Sequence, residues 1–311
     1  MTTESKIEKI KLKDKGFTWV NINNPDERAT SYLKHHYKFH PLDLEDCLSD
    51  IQRSKIDEYE NYLFIVLHVP VKRAGQHKLH ISELDIFISH NFVITLHEDD
   101  PTINRVFEKC KKKKKFKEDY LQKGSGYFLY MIVDDLFESC FPILDDLGHQ
   151  LNDLESEVFD SGQSKDRIKE VLLLKKDLIN FRRVIMPERA IVAQLEHKNK
   201  KFLPENLTVY FDDIVDKIEK MWNNLENLQE LAVSLQETNE SIISHNTNKI
   251  IKILTTFSVI MLPLTVVTGF YGMNVDGLPF VGGENPILII IGILAFIVLA
   301  MLGYFRYKKW L

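Results

Sequence analysis

The chain has 311 residues, long enough for two domains, and its averages (27% charged, 44% hydrophobic, net charge −5) describe a soluble protein. A net negative charge offers no basic field for nucleic acid. Three cysteines, Cys47, Cys110 and Cys140, are an odd number with no paired spacing, which fits a reducing cytoplasm and no disulfide role.

In chain order, "MTTESKIEKIKLKDK" lacks the apolar core of a signal peptide, so the large N-terminal part is expected to stay inside the cell. "FTWVNI" predicts a strand, and "PDERATSYLKHHY" and "HPLDLEDCLSD" predict short helices with a proline near each start. "YLFIVLHVPVK" and "ELDIFISHNFVITLHE" predict β-rich runs, the second a hairpin turning at Ser89-His90-Asn91. The run Lys111 to Lys115 reads as a solvated helix end. His35, His36 and His40 have no Cys or carboxylate at zinc-ligand spacing and read as ordinary histidines. These features predict an α/β module over residues 1–124.

From about Ser125 the period becomes helical. "YFLYMIVDDLFESCFPILDDLGHQLNDLESEVF" and "KDRIKEVLLLKKDLINFRRVIMPERAIVAQL" repeat apolar residues three and four apart, joined by "DSGQS", with Pro187 marking an expected kink. After Pro204 no proline or glycine occurs until Pro263, and a helix from Leu207 to Tyr271 would run roughly 100 Å. It is charged first and apolar last. Residues 125–252 are therefore expected to be a helical region and stalk.

Residues 253–271 and 287–305 carry no charge, and each run is long enough to cross about 30 Å of hydrocarbon. The alternative, a buried core helix, sits poorly with two such runs joined by a short polar loop. Lys249 and Lys252 precede the first span and Arg306, Lys308 and Lys309 follow the second, while the loop carries Asp276 and Glu284 and no basic residue. The distribution predicts both termini in the cytoplasm and the loop of residues 272–286 outside. Tyr304, Tyr307 and Trp310 suit an interfacial anchor, with residues 306–311 as a basic cytoplasmic tail.

One face of the long helix holds Ser241, Ser244, Asn248, Ile251, Thr255, Ser258, Leu262, Thr265 and Gly269, in steps that alternate between three and four. A 3.5-residue repeat keeps one stripe facing a partner over many turns. Two readings stand. Small and hydroxyl residues pack helices closely or bond to their own carbonyls. Alternatively, the stripe lines a pore in which Leu262 and Ile251 are apolar constrictions. With no carboxylate, His or Cys on it, such a stripe passes a hydrated cation rather than stripping one.

Tyr271-Gly272-Met273-Asn274, at the outer end of the first span, resembles the signature of the CorA family of magnesium and cobalt channels, the Gly-Met-Asn superfamily. "TNKIIKILTTFSVIMLPLTVVTGFYGMN" is similar to the family across the whole span, and "FHPLDLEDCL", "DEYENYLFIVL", "VYFDDIVDK" and the terminal "YKKWL" extend the resemblance over nearly the whole chain. It implies an α+β fold with a cytoplasmic α/β module, a long stalk and two C-terminal membrane helices, in a funnel-shaped homopentamer with Mg²⁺, possible Co²⁺ or Ni²⁺, and membrane lipid as its partners. It further implies that Asn274 hydrogen-bonds the waters of a hydrated ion, that Gly272 permits a tight turn and that Met273 holds the loop. Asn248, Ile251, Thr255, Leu262 and Thr265 fall on the family's pore-lining positions.

Regulatory Mg²⁺ is implied at Asp46 and Asp213, with Glu45 as a neighbour; Asp145 and Asp146 match more loosely. Mg²⁺ keeps its waters when bound, which suits a ring of amides, and Asp276 and Glu284 in the loop would concentrate cations. Members with the same signature also move zinc, so a zinc transporter is the alternative; a stripe without His or Cys favours Mg²⁺. A membrane-anchored scaffold is a further reading. No phosphate loop, nucleophile elbow or metalloprotease pair is present, so neither an enzyme nor an organic cofactor is expected.

Overall fold

The computed structural model describes residues 5–11, 17–49, 52–72, 79–161, 165–197, 202–203, 207–275, 278–279 and 285–308. The chain divides into two units, Met1–Gln236 and Glu237–Leu311.

The first unit is built on a six-stranded sheet in the order β1-β2-β6-β5-β4-β3, where β1 is Lys6–Lys11, β2 Thr18–Asn23, β3 Lys55–Glu58, β4 Leu63–Lys72, β5 Leu79–Ser89 and β6 Phe92–His97. Only β2 and β6 pair in parallel; the other ladders are antiparallel. The hairpin at Ser89-His90-Asn91 forms as expected, with Ser89 opposite Phe92. β4 is buried along nearly its whole length, so both sheet faces are covered. Its period-2 alternation sorts residues between two cores. Leu63, Ile65, Leu67 and Val69 join the larger core, and Phe64 and Val66 join the smaller.

The smaller core lies under α1 (Glu27–Tyr37) and α2 (Pro41–Asp46). Asp26 caps α1 by accepting hydrogen bonds from the Arg28 and Ala29 amides, each at 3.0 Å, and Pro41 opens α2 where no amide proton is needed. The larger core receives α3 (Pro101–Lys112), α4 (Lys114–Leu121), α5 (Ser125–Glu138), α6 (Phe141–Ser161), α7 (Lys165–His197) and the start of α8 (Thr208–Tyr271). It runs from Ile10 to Leu235 without a gap at the expected 124/125 boundary. Trp19 is its centre, fully buried with Phe107 and Phe128 edge-on at 4.8 Å.

One expectation is corrected. The segment read as one helix from Tyr127 to Phe159 is two, because the chain turns at Ser139-Cys140 immediately before Phe141-Pro142. Pro142 has no amide proton to give the carbonyl four residues back at Glu138, so α5 ends there and α6 starts afresh. The lysine run is exposed at a helix end, as expected: Lys111 and Lys112 end α3, Lys113 is extended, and Lys111 pairs with Glu8 of β1 at 2.6 Å.

The second unit holds the rest of α8, with Pro263 inside it, and α9 (Pro286–Tyr307). Among the described residues two helices, α8 and Ile287–Tyr307, are long and apolar enough to cross a membrane. Only 6% and 0% of their most apolar stretches are buried, which excludes the soluble-core alternative.

A buried polar cluster ties α7 to the sheet. The Glu188 side chain is fully buried, and its carboxylate accepts from the Ser54 hydroxyl and from the His68 amide, the latter at 3.1 Å. The His68 ring meets Ser54 at 2.9 Å through Nδ1 and Glu83 at 3.1 Å through Nε2. Burial alone would lower the His68 pKa, but Glu188 and Glu83 outweigh it and raise the value to about 9. A folded-state pKa above the unfolded one stabilises fully below the ordinary histidine value of about 6.5, and that contribution is lost as pH rises through about 9. Thermal unfolding of the full chain followed by tryptophan fluorescence should therefore show stability falling between these two pH values. His68→Gln should flatten that window, and an unchanged slope in the variant would remove His68 as its source.

Candidate functional site

The distal half of α8 presents two faces. Ser241, Ser244, Asn248, Ile251, Thr255, Ser258, Leu262, Thr265 and Gly269 are all exposed, with Ile251 at 54% and Leu262 at 66%. Lys252, Thr256, Ile260, Pro263, Val267 and Tyr271 are half-buried or buried. At 3.6 residues per turn the two sets lie on roughly opposite sides of the helix. On α9, Ile290, Ile293, Ile297, Met301 and Phe305 form the covered line. The 3.5-residue stripe thus lies on the part of α8 that its own chain leaves uncovered, together with exposed apolar residues such as Ile253, Phe257 and Met261.

The hydroxyls on this segment divide by what they bond. Thr265 donates to the Met261 carbonyl at 2.9 Å and Thr268 to the Leu264 carbonyl at 2.9 Å, while buried Thr256 donates to the Lys252 carbonyl at 2.8 Å. Back-bonding, one of the two uses expected for such residues, holds for Thr265. Thr255 and Ser258 are exposed.

α8 ends at Tyr271, with the Gly272 amide on the Thr268 carbonyl at 2.9 Å and the Met273 amide on the Phe270 carbonyl at 3.3 Å. Gly272, Met273 and Asn274 are exposed and Tyr271 is half-buried. The need for glycine at 272 is one of space rather than of φ, since Gly124 is the sole glycine with positive φ among the described residues. A Cβ on Gly272 would sit 3.0 Å from the Thr268 carbonyl oxygen, a backbone atom held by the helix. Asp276 and Glu284 lie outside the described residues.

The acidic candidates belong to the first unit. Asp46, at the end of α2, is bonded to Lys55 at 2.7 Å, and Lys55 also pairs with Asp57 at 2.6 Å. Burial would lower the Lys55 pKa, but Asp46 and Asp57 raise it. Glu45 is exposed. Asp213, on the first turns of α8, is exposed and 3.7 Å from Lys217, one helical turn on. Lys217 is held mainly by Asp134 at 2.6 Å and Glu138 at 3.3 Å of α5. Asp134 and Glu138 were missed in the sequence, although the Asp213–Lys217 spacing marks the lysine as a possible partner. Asp146 pairs with Lys72, and Asp145 is exposed. Among the described residues no three His, Cys, Asp or Glu side chains gather to hold a metal, so a single chain does not assemble the expected regulatory site. His35 and His36 bond their own helix carbonyls and His40 caps α2, as their ordinary reading requires.

Comparison with known proteins now adds to this geometry. A family model described as CorA-like Mg²⁺ transporter protein matches residues 14–309. The YfjQ protein of Bacillus subtilis is 32% identical over 98% of this chain and 93% of its own. The cobalt/magnesium transport protein CorA of Thermotoga maritima is 27% identical over 94% of this chain and 83% of its own. The complete structure of the CorA magnesium transporter from Methanocaldococcus jannaschii shares the fold, with a TM-score of 0.88 at 22% identity and full coverage of both chains. The zinc transport protein ZntB of Yersinia pseudotuberculosis is 23% identical over 60% of this chain and 57% of its own.

The two glycines near the helix end make a paired test. Gly272→Ala forces a methyl against the Thr268 carbonyl, whereas a Cβ at Gly269 meets nothing within 4 Å. Amide exchange at residues 272–274 should quicken several-fold in Gly272→Ala and stay as it is in Gly269→Ala. Equal effects of the two would show that the close approach is not what the glycine serves.

Proposed function

The chain belongs to the CorA-like Mg²⁺ transporter family, hence is a divalent-cation transporter of the membrane and not an enzyme, and we propose that it works as a homopentameric channel for hydrated Mg²⁺. The observation that carries this reading is the uncovered stripe from Asn248 to Gly269. It lies within the broad part of the first span that the chain itself leaves bare, beside exposed apolar residues such as Ile253, Phe257 and Met261, and it alternates amide and hydroxyl positions with Ile251 and Leu262. Symmetry-related copies of α8 meeting around an axis would cover it and enclose a water-filled path. Leu262 and Ile251 are then the positions that close by dewetting.

At the outer end, Asn274 presents an amide oxygen to the waters of the arriving ion. Mg²⁺ releases water reluctantly and is best met through its shell, and neutral acceptors do this without trapping it. Met273, 49% exposed in the single chain, packs against a neighbouring loop in this arrangement. The acids of the outer loop, Asp276 and Glu284, raise the local cation concentration before entry. Both termini are cytoplasmic, since Lys249, Lys252, Arg306 and Lys308 bracket the two spans on one side, and flow is inward down the electrochemical gradient.

Regulation follows from the acids that a single chain leaves apart. Intracellular Mg²⁺ bound between subunits at Asp213 of one copy and Asp46, with Glu45 beside it, of the next would hold the ring closed; its loss leaves facing carboxylates to repel. Asp213 lies on the same uninterrupted helix as Asn248 and Tyr271, which gives a direct mechanical connection to the stripe. Zinc transport on this scaffold is the second reading, supported by the likeness to ZntB. A stripe without His or Cys favours the harder ion.

Proteoliposomes holding a Mg²⁺-sensitive dye test both parts. Under a negative internal potential, Mg²⁺ should enter through the wild type and drop at least about tenfold in Asn274→Ala, while cross-linking still finds assembled rings; tenfold corresponds to about 1.4 kcal/mol. Zn²⁺ entry without Mg²⁺ entry would move the protein to the zinc reading. Separately, Asp213→Ala should keep conducting at millimolar internal Mg²⁺ where the wild type shuts, and unchanged inhibition would remove Asp213 from the regulatory site.

A further inference from the structure

A cavity of about 300 Å³ opens in the first unit between the end of α2, strand β5 and the end of β6. Three acids, Glu83, Asp85 and Glu98, line it, and neither lysine nor arginine does. Asp85 is 4% exposed, yet its Oδ1 has no hydrogen-bond partner. A buried carboxylate oxygen that faces a cavity without a partner is costly unless something occupies the space. Register explains how the carboxyl comes to be there. Asp85 sits opposite Val66 on one side and Leu96 on the other, in a strand whose neighbours Leu84 and Ile86 fill the larger core.

The lining also narrows what that occupant is. His97 is committed, since its Nδ1 accepts from the Asp100 amide at 2.9 Å and its Nε2 donates to Asn21 at 3.1 Å, so neither ring nitrogen is free to ligate. The Cys47 thiol donates to the Asp43 carbonyl at 3.1 Å and burial holds its pKa well up, so it supplies no thiolate. No aromatic ring lines the cavity to receive an alkylammonium group. What remains is hard oxygen: a carboxylate with an unpartnered oxygen and two further acids. These do not gather closely enough to ligate an ion directly. The space, however, holds an ion with its waters, each taking about 30 Å³.

We propose that this cavity, lined by Glu83, Asp85 and Glu98 within one subunit, binds a hydrated divalent cation. It is separate from the carboxylates assigned above to the subunit boundary, and it does not depend on the pore reading. Burial first, and then the charge of Glu83, raise the Asp85 pKa to about 7, an imbalance that a cation beside it reverses. The ion would join α2 to β5, so its binding stiffens the element that carries Glu45 and Asp46.

The test counts bound ions on the full-length protein in nanodiscs, with Mn²⁺ as the probe and the EPR signal of free Mn²⁺ as the readout. Asp85→Asn, which keeps the shape and removes the charge, should bind one Mn²⁺ fewer per chain than the wild type. Glu98→Gln, which removes a second lining charge at an exposed position, should lose the same ion, and it decides the matter if Asp85→Asn does not fold. In Asp213→Ala the Asp85-dependent ion should remain. Folded variants at both cavity positions that bind as many Mn²⁺ ions as the wild type would overturn the assignment. An Asp85-dependent site that takes spermidine and leaves the Mn²⁺ count unchanged would overturn it equally.

Discussion

Within a bilayer no water is present to satisfy a backbone amide or carbonyl, so a segment that crosses it must satisfy these groups within itself. α8 meets that constraint by running unbroken from Thr208 to Tyr271, and the site inherits its form from it. A continuous helix has fixed angular steps, so its line of covered residues fixes which residues lie opposite. The covered line through Thr256, Ile260 and Val267 leaves Asn248, Thr255, Leu262 and Thr265 on the other side. Where the helix stops, the constraint stops too, and the backbone of residues 272–274 is free to form a loop with exposed polar groups.

The membrane-spanning part was legible because its signals are long. Nineteen uncharged residues twice over, and a three-four alternation sustained over nine positions, are hard to produce by accident. The sheet was legible where strands were apolar and long, as in β4 and β5. Strand β1 carries three lysines and a glutamate among its six residues, and β3 has only four residues, so neither announces itself. The break at Ser139-Cys140 was missed because the apolar period continues across it, whereas Pro142 marked the place.

The acidic sites were less legible, for a different reason. A carboxylate's meaning depends on what it faces, and sequence gives only its neighbours along the chain. Asp46 meets Lys55 nine residues away, across a turn, and Lys217 is drawn off Asp213 by Asp134 and Glu138 of another helix. The unpartnered oxygen of Asp85 was invisible in the same way: in the sequence it is one charge in an alternating strand. Only the packing of α2 over β5 and β6 shows that nothing answers it.

The back-bond of Thr265 bears on how a face without charge can distinguish ions by sign. A hydroxyl has one proton and two lone pairs, and that of Thr265 is directed at the Met261 carbonyl. What it can offer on its other side is therefore acceptor capacity alone. Water around a cation turns its oxygen inward and its hydrogens out, whereas water around an anion does the reverse. In a conducting ring such a hydroxyl would greet the outer hydrogens of a hydrated cation and have no proton to offer the outward oxygens around an anion, giving valence selectivity from hydrogen-bond polarity alone.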